Sequence, residues 1–185
     1  MEIEEIMPPV GSMGRGVNDL FWATERSTAW LGINAHGDRG GFVEEWDVAQ
    51  AKAQALGSVQ LCGNALTVHQ FSPNVVLAEV EDLDMQFVLH DWRTPRATQR
   101  FGYDSSFDSI AHLRGDVRGN LFARGDTNGN VRIWDIRNLD GYQSVSLSPG
   151  DCITQVVFDP FAEGPDRLIS LLDQNEVIFT TLLHT

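Results

Sequence analysis

Two short boxes carry the side chains best suited to chemistry, Asp91-Trp92-Arg93 and Asp135-Ile136-Arg137, which stand in the same register 44 residues apart. Side chains at i and i+2 share a face of a strand, so each aspartate can orient the arginine two residues on. A planar guanidinium suits bidentate recognition of carboxylates and carbonyls, and arginine is enriched among interface hot spots. The chemistry these boxes predict is protein binding, with Asp91, Arg93, Asp135 and Arg137 as the contact residues.

Catalytic and metal chemistry find less support. His36, His69, His90, His112 and His184 are scattered, with no two at zinc-site spacing, and are expected in structural or surface roles. Neither a Gly-x-Ser-x-Gly elbow nor a phosphate-cradling Gly-x-x-x-x-Gly-Lys-Ser/Thr loop occurs. Gly125-Asp126-Thr127-Asn128-Gly129-Asn130 resembles a calcium loop superficially, but it lacks the glycine at the sixth loop position and the terminal glutamate, and reads as a hairpin turn. Glu79, Glu81, Asp82 and Asp84 read as solvated turn charge. Cys62 and Cys152, 90 positions apart in apolar runs, are expected as buried free thiols in a reducing compartment. These residues predict a non-enzyme with no cofactor and no metal.

The charge balance narrows the partners. Thirteen Lys and Arg stand against 26 Asp and Glu, a net charge of −13, so the long-range field repels phosphate backbones and anionic membranes. Nucleic acid is not an expected partner. No apolar stretch approaches the roughly 20 residues of a membrane span, and the acidic start Met1-Glu2-Ile3-Glu4-Glu5 is unlike a signal peptide. A cytoplasmic or nuclear location follows as the expectation.

The elements that must position the boxes are strands. Gly129-Asn130-Val131-Arg132-Ile133-Trp134-Asp135 reads as a turn, an alternating strand and a terminal Trp-Asp pair. Gly41-Phe42-Val43-Glu44-Glu45-Trp46-Asp47 repeats it, and Gln86-Phe87-Val88-Leu89-His90-Asp91 repeats it with His90 in place of Trp. Asp47, Asp91 and Asp135 are 44 residues apart, and a weaker copy, Glu176-Val177-Ile178-Phe179-Thr180-Thr181, ends 46 residues further on.

Within the third unit, strands are expected over residues 108–113, 121–125, 131–136 and 142–147, with Asn128-Gly129 supplying the positive φ of a tight hairpin. The second unit reads as 66–71, a Ser72-Pro73-Asn74 turn, 75–80 and 86–91. The last reads as 153–158, 167–172 and 177–182, without an outer strand. Trp22 and Trp30 fall on the first unit's inner and second strands, where core packing is expected, and Trp46 and Trp134 are expected between neighbouring units. Alternation places Trp92 on the side opposite Asp91 and Arg93.

A period of about 40 to 45 residues with four short strands per unit is the pattern of propeller blades. These residues resemble the WD-repeat β-propeller family from about Val17 onward. The resemblance implies an all-β fold with about four blades, over residues 17–62, 63–106, 107–150 and 151–185, the last incomplete, behind a Pro- and Gly-rich segment at 1–16. Two departures stand out. The Gly-His pair that usually precedes the inner strand is replaced by Gly63-Asn64 and Phe107-Asp108, and four units fall short of the seven or so usual in the family.

Such a partial or divergent propeller leaves open strand edges. Three arrangements satisfy them: a longer propeller, assembly with another copy or a partner, or a small ring closed by residues 2–7. The doubled Asp-x-Arg box further resembles substrate receptors of cullin-RING ubiquitin ligases, with the C-terminal half resembling the DDB-and-cullin-associated-factor type, factor four. The resemblance implies docking on the ligase's large propeller adaptor through Arg93 and Arg137. The alternatives are a general WD-repeat assembly platform without a ubiquitin role, and a propeller-fold hydrolase or lyase with a central pocket of ionisable groups.

Overall fold

In the computed structural model the described residues are 16–23, 28–34, 40–49, 54–94, 98–105, 113–163 and 166–182. They form 15 strands and no helix, arranged as four antiparallel sheets in which sequence neighbours pair. The all-β expectation therefore holds. The chain divides into two compact units, Met1–Asp104 and Ser105–Thr185.

The first unit contains two four-stranded sheets. One orders β1 (Gly16–Ala23), β2 (Thr28–Asn34), β3 (Phe42–Asp47) and β4 (Gln54–Gln60); the other orders β5 (Ala65–Ser72), β6 (Val75–Val80), β7 (Phe87–Asp91) and β8 (Thr98–Phe101). Trp30, Val43, Val68, Val76, Ala78 and Val88 form a buried cluster in this unit. These residues are mainly β-branched or aromatic and lie at the alternate positions that a half-buried strand requires. Polar contacts add to the apolar layer. The Asp19 carboxylate on β1 accepts the Val68 N–H of β5 at 2.8 Å, and Asn18 Nδ2 donates to the Ala65 carbonyl at 2.8 Å.

The second unit contains β9 (Asp116–Arg118), β10 (Leu121–Gly125), β11 (Asn130–Asp135) and β12 (Asn138–Ser146) in one sheet, and β13 (Ile153–Phe158), β14 (Arg167–Leu172) and β15 (Val177–Thr181) in another. Ala123, Val131, Ile133, Ile153, Val156 and Leu168 belong to its core. The polar device recurs: Asp116 on β9 accepts the Phe158 N–H of β13 at 2.8 Å. Arg114 and Gln155 also form a parallel bridge, with Arg114 N–H donating to the Thr154 carbonyl at 2.9 Å.

The turn at residues 125–130 is the expected hairpin. Asp126, 2% exposed, accepts the backbone N–H groups of Asn128 and Asn130 at 2.8 and 2.9 Å and pairs with Arg132. Gly129 sits at φ +78°, and a Cβ there would strike the Ser148 carbonyl, so glycine is required twice over.

Several expectations need correction. The strand that pairs with β10 in the third sheet is Asp116–Arg118, which the sequence reading did not expect; of the strand expected over 108–113, residues 108–112 lie outside the described residues. Glu79 is not solvated turn charge; it is completely buried on β6 and bonds His69 Nε2 at 2.8 Å. Its neighbours Glu81, Asp82 and Asp84 do lie at the turn. Both cysteines are free, but Cys62 is exposed and Cys152 half-buried, because each sits on a connection between sheets rather than within a strand. Trp30, Trp46 and Trp134 are buried as expected, whereas Trp22 is 51% exposed. His36, His112, His184 and residues 2–7 lie outside the described residues.

Two outcomes test this reading of the fold. Asp116→Ala removes a charge-assisted bond and strands the Phe158 amide, so it should cost about 1.5–3 kcal/mol, read as a lower urea midpoint. Asp140→Ala on the exposed β12 should leave the midpoint unchanged. Asp126 sits below its ordinary pKa: burial opposes the charge, but donors from Asn130 and Asn128 and the Arg132 guanidinium outweigh it. A depressed carboxylate contributes stability above its unfolded pKa of about 3.9 and loses it as pH falls through the lower folded value. Unfolding curves between pH 6 and pH 2 should therefore drop less steeply for Asp126→Asn than for the unsubstituted chain, at a lower starting stability.

Candidate functional site

The two boxes adopt the same structure, and each closes on itself. β7 ends at Asp91 and β11 at Asp135, so Arg93 and Arg137 lie in the turns that lead to the outer strands. In the first box Arg93 N–H donates to Asp91 Oδ1 at 3.0 Å, Nε donates to Oδ1 at 2.9 Å, and Nη2 donates to Oδ2 at 2.6 Å. In the second the corresponding distances from Arg137 to Asp135 are 3.0, 2.9 and 2.5 Å. The aspartate thus caps the turn through the backbone amide and grips the guanidinium along its Nε/Nη2 edge.

That grip leaves a definite part of the arginine to a partner. A guanidinium has five N–H donors in one plane. With the Nε/Nη2 edge occupied, the Nη1/Nη2 edge retains two parallel N–H bonds, the geometry that matches a carboxylate bidentately. The side chains of Arg93 and Arg137 are 65% and 69% exposed. Both boxes therefore present a guanidinium whose orientation is already set.

Trp92, between the paired groups of the first box, is turned toward the core while Arg93 is exposed. Trp92 is packed against the first unit's core, with its ring 5.0 Å from Trp30 and edge-on to His90 at 4.8 Å. It also fills the space over Gly57 on β4, where a Cβ would approach the indole to 2.6 Å. His90 takes the place in the repeat that Trp46 and Trp134 hold, and burial keeps its pKa below the usual value despite the neighbouring Asp91.

The second box opens on a groove of about 760 Å³ inside the second unit, lined by Arg118, Leu121, Ile133, Arg137, Tyr142 and Leu182 among others. Arg118 is fixed there by the Asp159 carbonyl at 2.7 Å and by Asp166 at 3.2 Å. The sequence reading passed over Arg118. Its signal was the turn Arg118-Gly119-Asn120, but the carboxylate that holds it lies 48 residues on, across two sheets.

Other reactive groups are poorly placed for chemistry. Burial pushes the Cys62 and Cys152 thiols up, and nearby aspartates push them further, which disfavours the thiolate that a nucleophile needs. Among the described residues no group of three or more His, Cys, Asp or Glu is placed to hold a metal ion. Among them no helix is long and apolar enough to cross a membrane.

The hydrogen bonds from Arg93 and Arg137 hold the carboxyls of Asp91 and Asp135 at about 2. An NMR titration of the two carboxyl carbons should give midpoints near that value. Arg137→Gln should return Asp135 toward the ordinary carboxylate value of about 3.9 and leave Asp91 where it was. Two unshifted midpoints in the unsubstituted chain would show that the pairs do not form in solution.

Comparison with known proteins places the fold and leaves the boxes to their own geometry. No protein-family model matches the chain, and no curated protein matches its sequence. Among solved structures, the computationally designed Ika4 protein shares the fold at a TM-score of 0.68 and 15% identity, covering 98% of this chain and 99% of that one. The computationally designed Ika8 protein is similar over 90% of this chain and 46% of its own, at a TM-score of 0.62 and 16% identity. The chain is thus similar in fold to all of one designed protein and to just under half of another.

Proposed function

We propose that the chain is a β-propeller-like repeat protein of WD-repeat type that acts as a protein-binding scaffold, docking its partner through Arg93 and Arg137. The observation that carries this reading is the identity of the two boxes in atomic detail. Each aspartate spends its carboxylate on orienting one exposed guanidinium, and each guanidinium keeps one bidentate edge. An arginine held in place loses little side-chain freedom on binding, which lowers the cost of association.

The partner this arrangement suits is the large propeller adaptor of a cullin-RING ubiquitin ligase, with the chain as substrate receptor. The support is the doubled Asp-x-Arg register together with the repeat grammar of four-stranded sheets. An assembly platform without a ubiquitin role would use the same arginines on a different surface. An enzyme would need convergent ionisable groups around the 760 Å³ groove, where Arg118 and Arg137 are each already paired with aspartates.

The test is capture of the purified adaptor by the immobilised chain, compared with Arg93→Ala plus Arg137→Ala. If each arginine is a hot spot of about 2 kcal/mol, the double substitution should weaken binding roughly a thousandfold. Lysine at both positions should fail to rescue, because an ammonium cannot be held along one edge and donate bidentately along the other. Equal recovery of adaptor by the unsubstituted and doubly substituted chains would overturn the docking role of the boxes. No recovery by either would remove the ligase from the reading.

A further inference from the structure

The two boxes share a geometry but not a setting. Trp92 N–H donates to the Asn74 carbonyl and Ile136 N–H to the Asn120 carbonyl, each at 2.9 Å, so the turns Ser72-Pro73-Asn74 and Arg118-Gly119-Asn120 hold equivalent places beside their boxes. Two residues before the asparagine, the first turn has Ser72 and the second has Arg118. The second box thus has another arginine beside it, and Arg118 and Arg137 line the same groove of about 760 Å³ within the second unit.

Both guanidiniums in that groove are held from one side and keep donors on another. Arg118 donates through Nη1 to the Asp159 carbonyl and pairs through Nε with Asp166, whereas Arg137 is gripped by Asp135 through Nε and Nη2. Each guanidinium has five N–H donors. Arg118 therefore retains both on Nη2 and one on Nη1, and Arg137 both on Nη1 and one on Nη2, with no partner for these among the described residues. Apolar lining comes from Ile133, which is 6% exposed, and from Leu121 and Leu182, which pack on the second unit's core. Asp135 and Asp166 balance the two arginines, so the charged lining is neutral as a whole. The volume lies within the range of about 300–1,000 Å³ usual for ligand clefts, which likewise combine apolar walls with a few placed polar groups.

We infer that this groove receives a short segment of a partner protein in which a glutamate or aspartate stands beside a large aliphatic residue. The carboxylate takes the spare donors of Arg118 and Arg137, and the aliphatic side chain packs on Leu121, Ile133 and Leu182. The inference rests on the docking role proposed for Arg137 and names the part of the partner that the second box takes. Charge selects the class. A nucleic acid or polyphosphate brings several negative charges to a neutral lining on a chain of net charge −13, whereas a single carboxylate asks only for the donors that are unspent. A wholly apolar segment would strip water from those donors and give them no acceptor. Ser72 supplies no second guanidinium to the first box, so the segment is read at the second.

Fluorescence anisotropy with short labelled peptides tests this on the full chain, each peptide having a central glutamate with leucine, isoleucine or valine on both sides. Saturable binding is expected. Glutamine in place of the glutamate should weaken it about tenfold or more, because charge-assisted bonds are lost. Serine in place of the aliphatic residues should weaken it by a similar factor. Arg118→Gln should lower affinity for the glutamate peptides to that of the glutamine peptides and leave the latter unchanged, a selective effect that a general loss of structure would not give. Gly141→Phe guards against Arg118→Gln failing to fold: Gly141 lines the groove and a Cβ there meets nothing within 4 Å, so the ring should block binding with the urea midpoint unchanged. Absence of saturable binding up to about 1 mM peptide would overturn the inference. Equal affinity for glutamate and glutamine peptides would also overturn it, as would undiminished binding by Gly141→Phe. Displacement of the peptide by an equal concentration of inorganic phosphate would make the groove a general anion site and overturn it likewise. Adaptor capture that still depends on Arg93 and Arg137 while no peptide binds would remove the groove and keep the boxes; peptide binding without adaptor capture would keep the groove and remove the ligase.

Discussion

A carboxylate that leaves its own sheet to bind the amide of the next is the contact on which each unit is organised. A four-stranded meander satisfies most of its backbone internally, yet its faces remain in water until another sheet covers them. Apolar packing drives that covering but is indifferent to small slips between flat surfaces. Asp19 to the Val68 amide, and Asp116 to the Phe158 amide, remove the indifference, because a half-buried carboxylate out of register with its donor loses a charge-assisted bond and strands the amide it held. Once the inner strands are tied, the valine and leucine layers behind them can meet in only one register. The outer strands then inherit their positions, and with them the turns that carry the Asp-x-Arg boxes.

Much of this was legible because the repeat is written in local terms. The 44-residue interval between Asp47, Asp91 and Asp135 places the ends of three third strands, and the strands over 75–80, 121–125, 153–158 and 167–172 occur with the bounds that alternation and turn residues predict. The boxes were readable for the same reason, since an aspartate and an arginine two residues apart need no distant partner. Where reading failed, the decisive partner lay on another strand. Glu79 resembles its acidic neighbours 81, 82 and 84, and only the β5–β6 pairing brings His69 to it. The strand Asp116–Arg118 is three residues long and polar, without periodicity of its own, and its place follows from pairing with β10 and from the Asp116 staple. Trp22 misled in the other direction: an aromatic residue on an inner strand reads as core, but Trp22 stands on the face of β1 opposite Phe21 and is 51% exposed.

The substitution of His90 for tryptophan shows how a repeat absorbs variation without losing its boxes. In the third sheet Trp134 fills the space beside Phe122 and Tyr142 with a large ring. In the second, the smaller imidazole leaves room that Trp92 occupies from the x position of its box, stacking over Trp30 and against Gly57. The third sheet has Ile136 at the equivalent of Trp92. Volume is thus exchanged between neighbouring positions of the same turn, and the Asp and Arg on either side keep the same geometry to about 0.1 Å. The conserved quantity across the two units is the posture of the arginine rather than the packing beneath it.

That posture also explains how a strongly acidic chain can present cationic contacts. Each box is neutral as a whole, so it adds little to the long-range field, and encounter is governed by the −13 of the rest of the surface. Such a field favours approach by a basic or neutral surface and disfavours an acidic one. At contact distance the balance reverses, because Asp91 and Asp135 have fixed one edge of each guanidinium and the other edge donates best to a planar acceptor at the right angle. In the proposed docking role, specificity from a pre-set donor edge would not require a net positive patch, and a chain that repels polyanions at long range would still recognise individual carboxylates or carbonyls at short range. A free arginine on a basic patch would bind both without distinction; an arginine already held by its own aspartate selects by geometry.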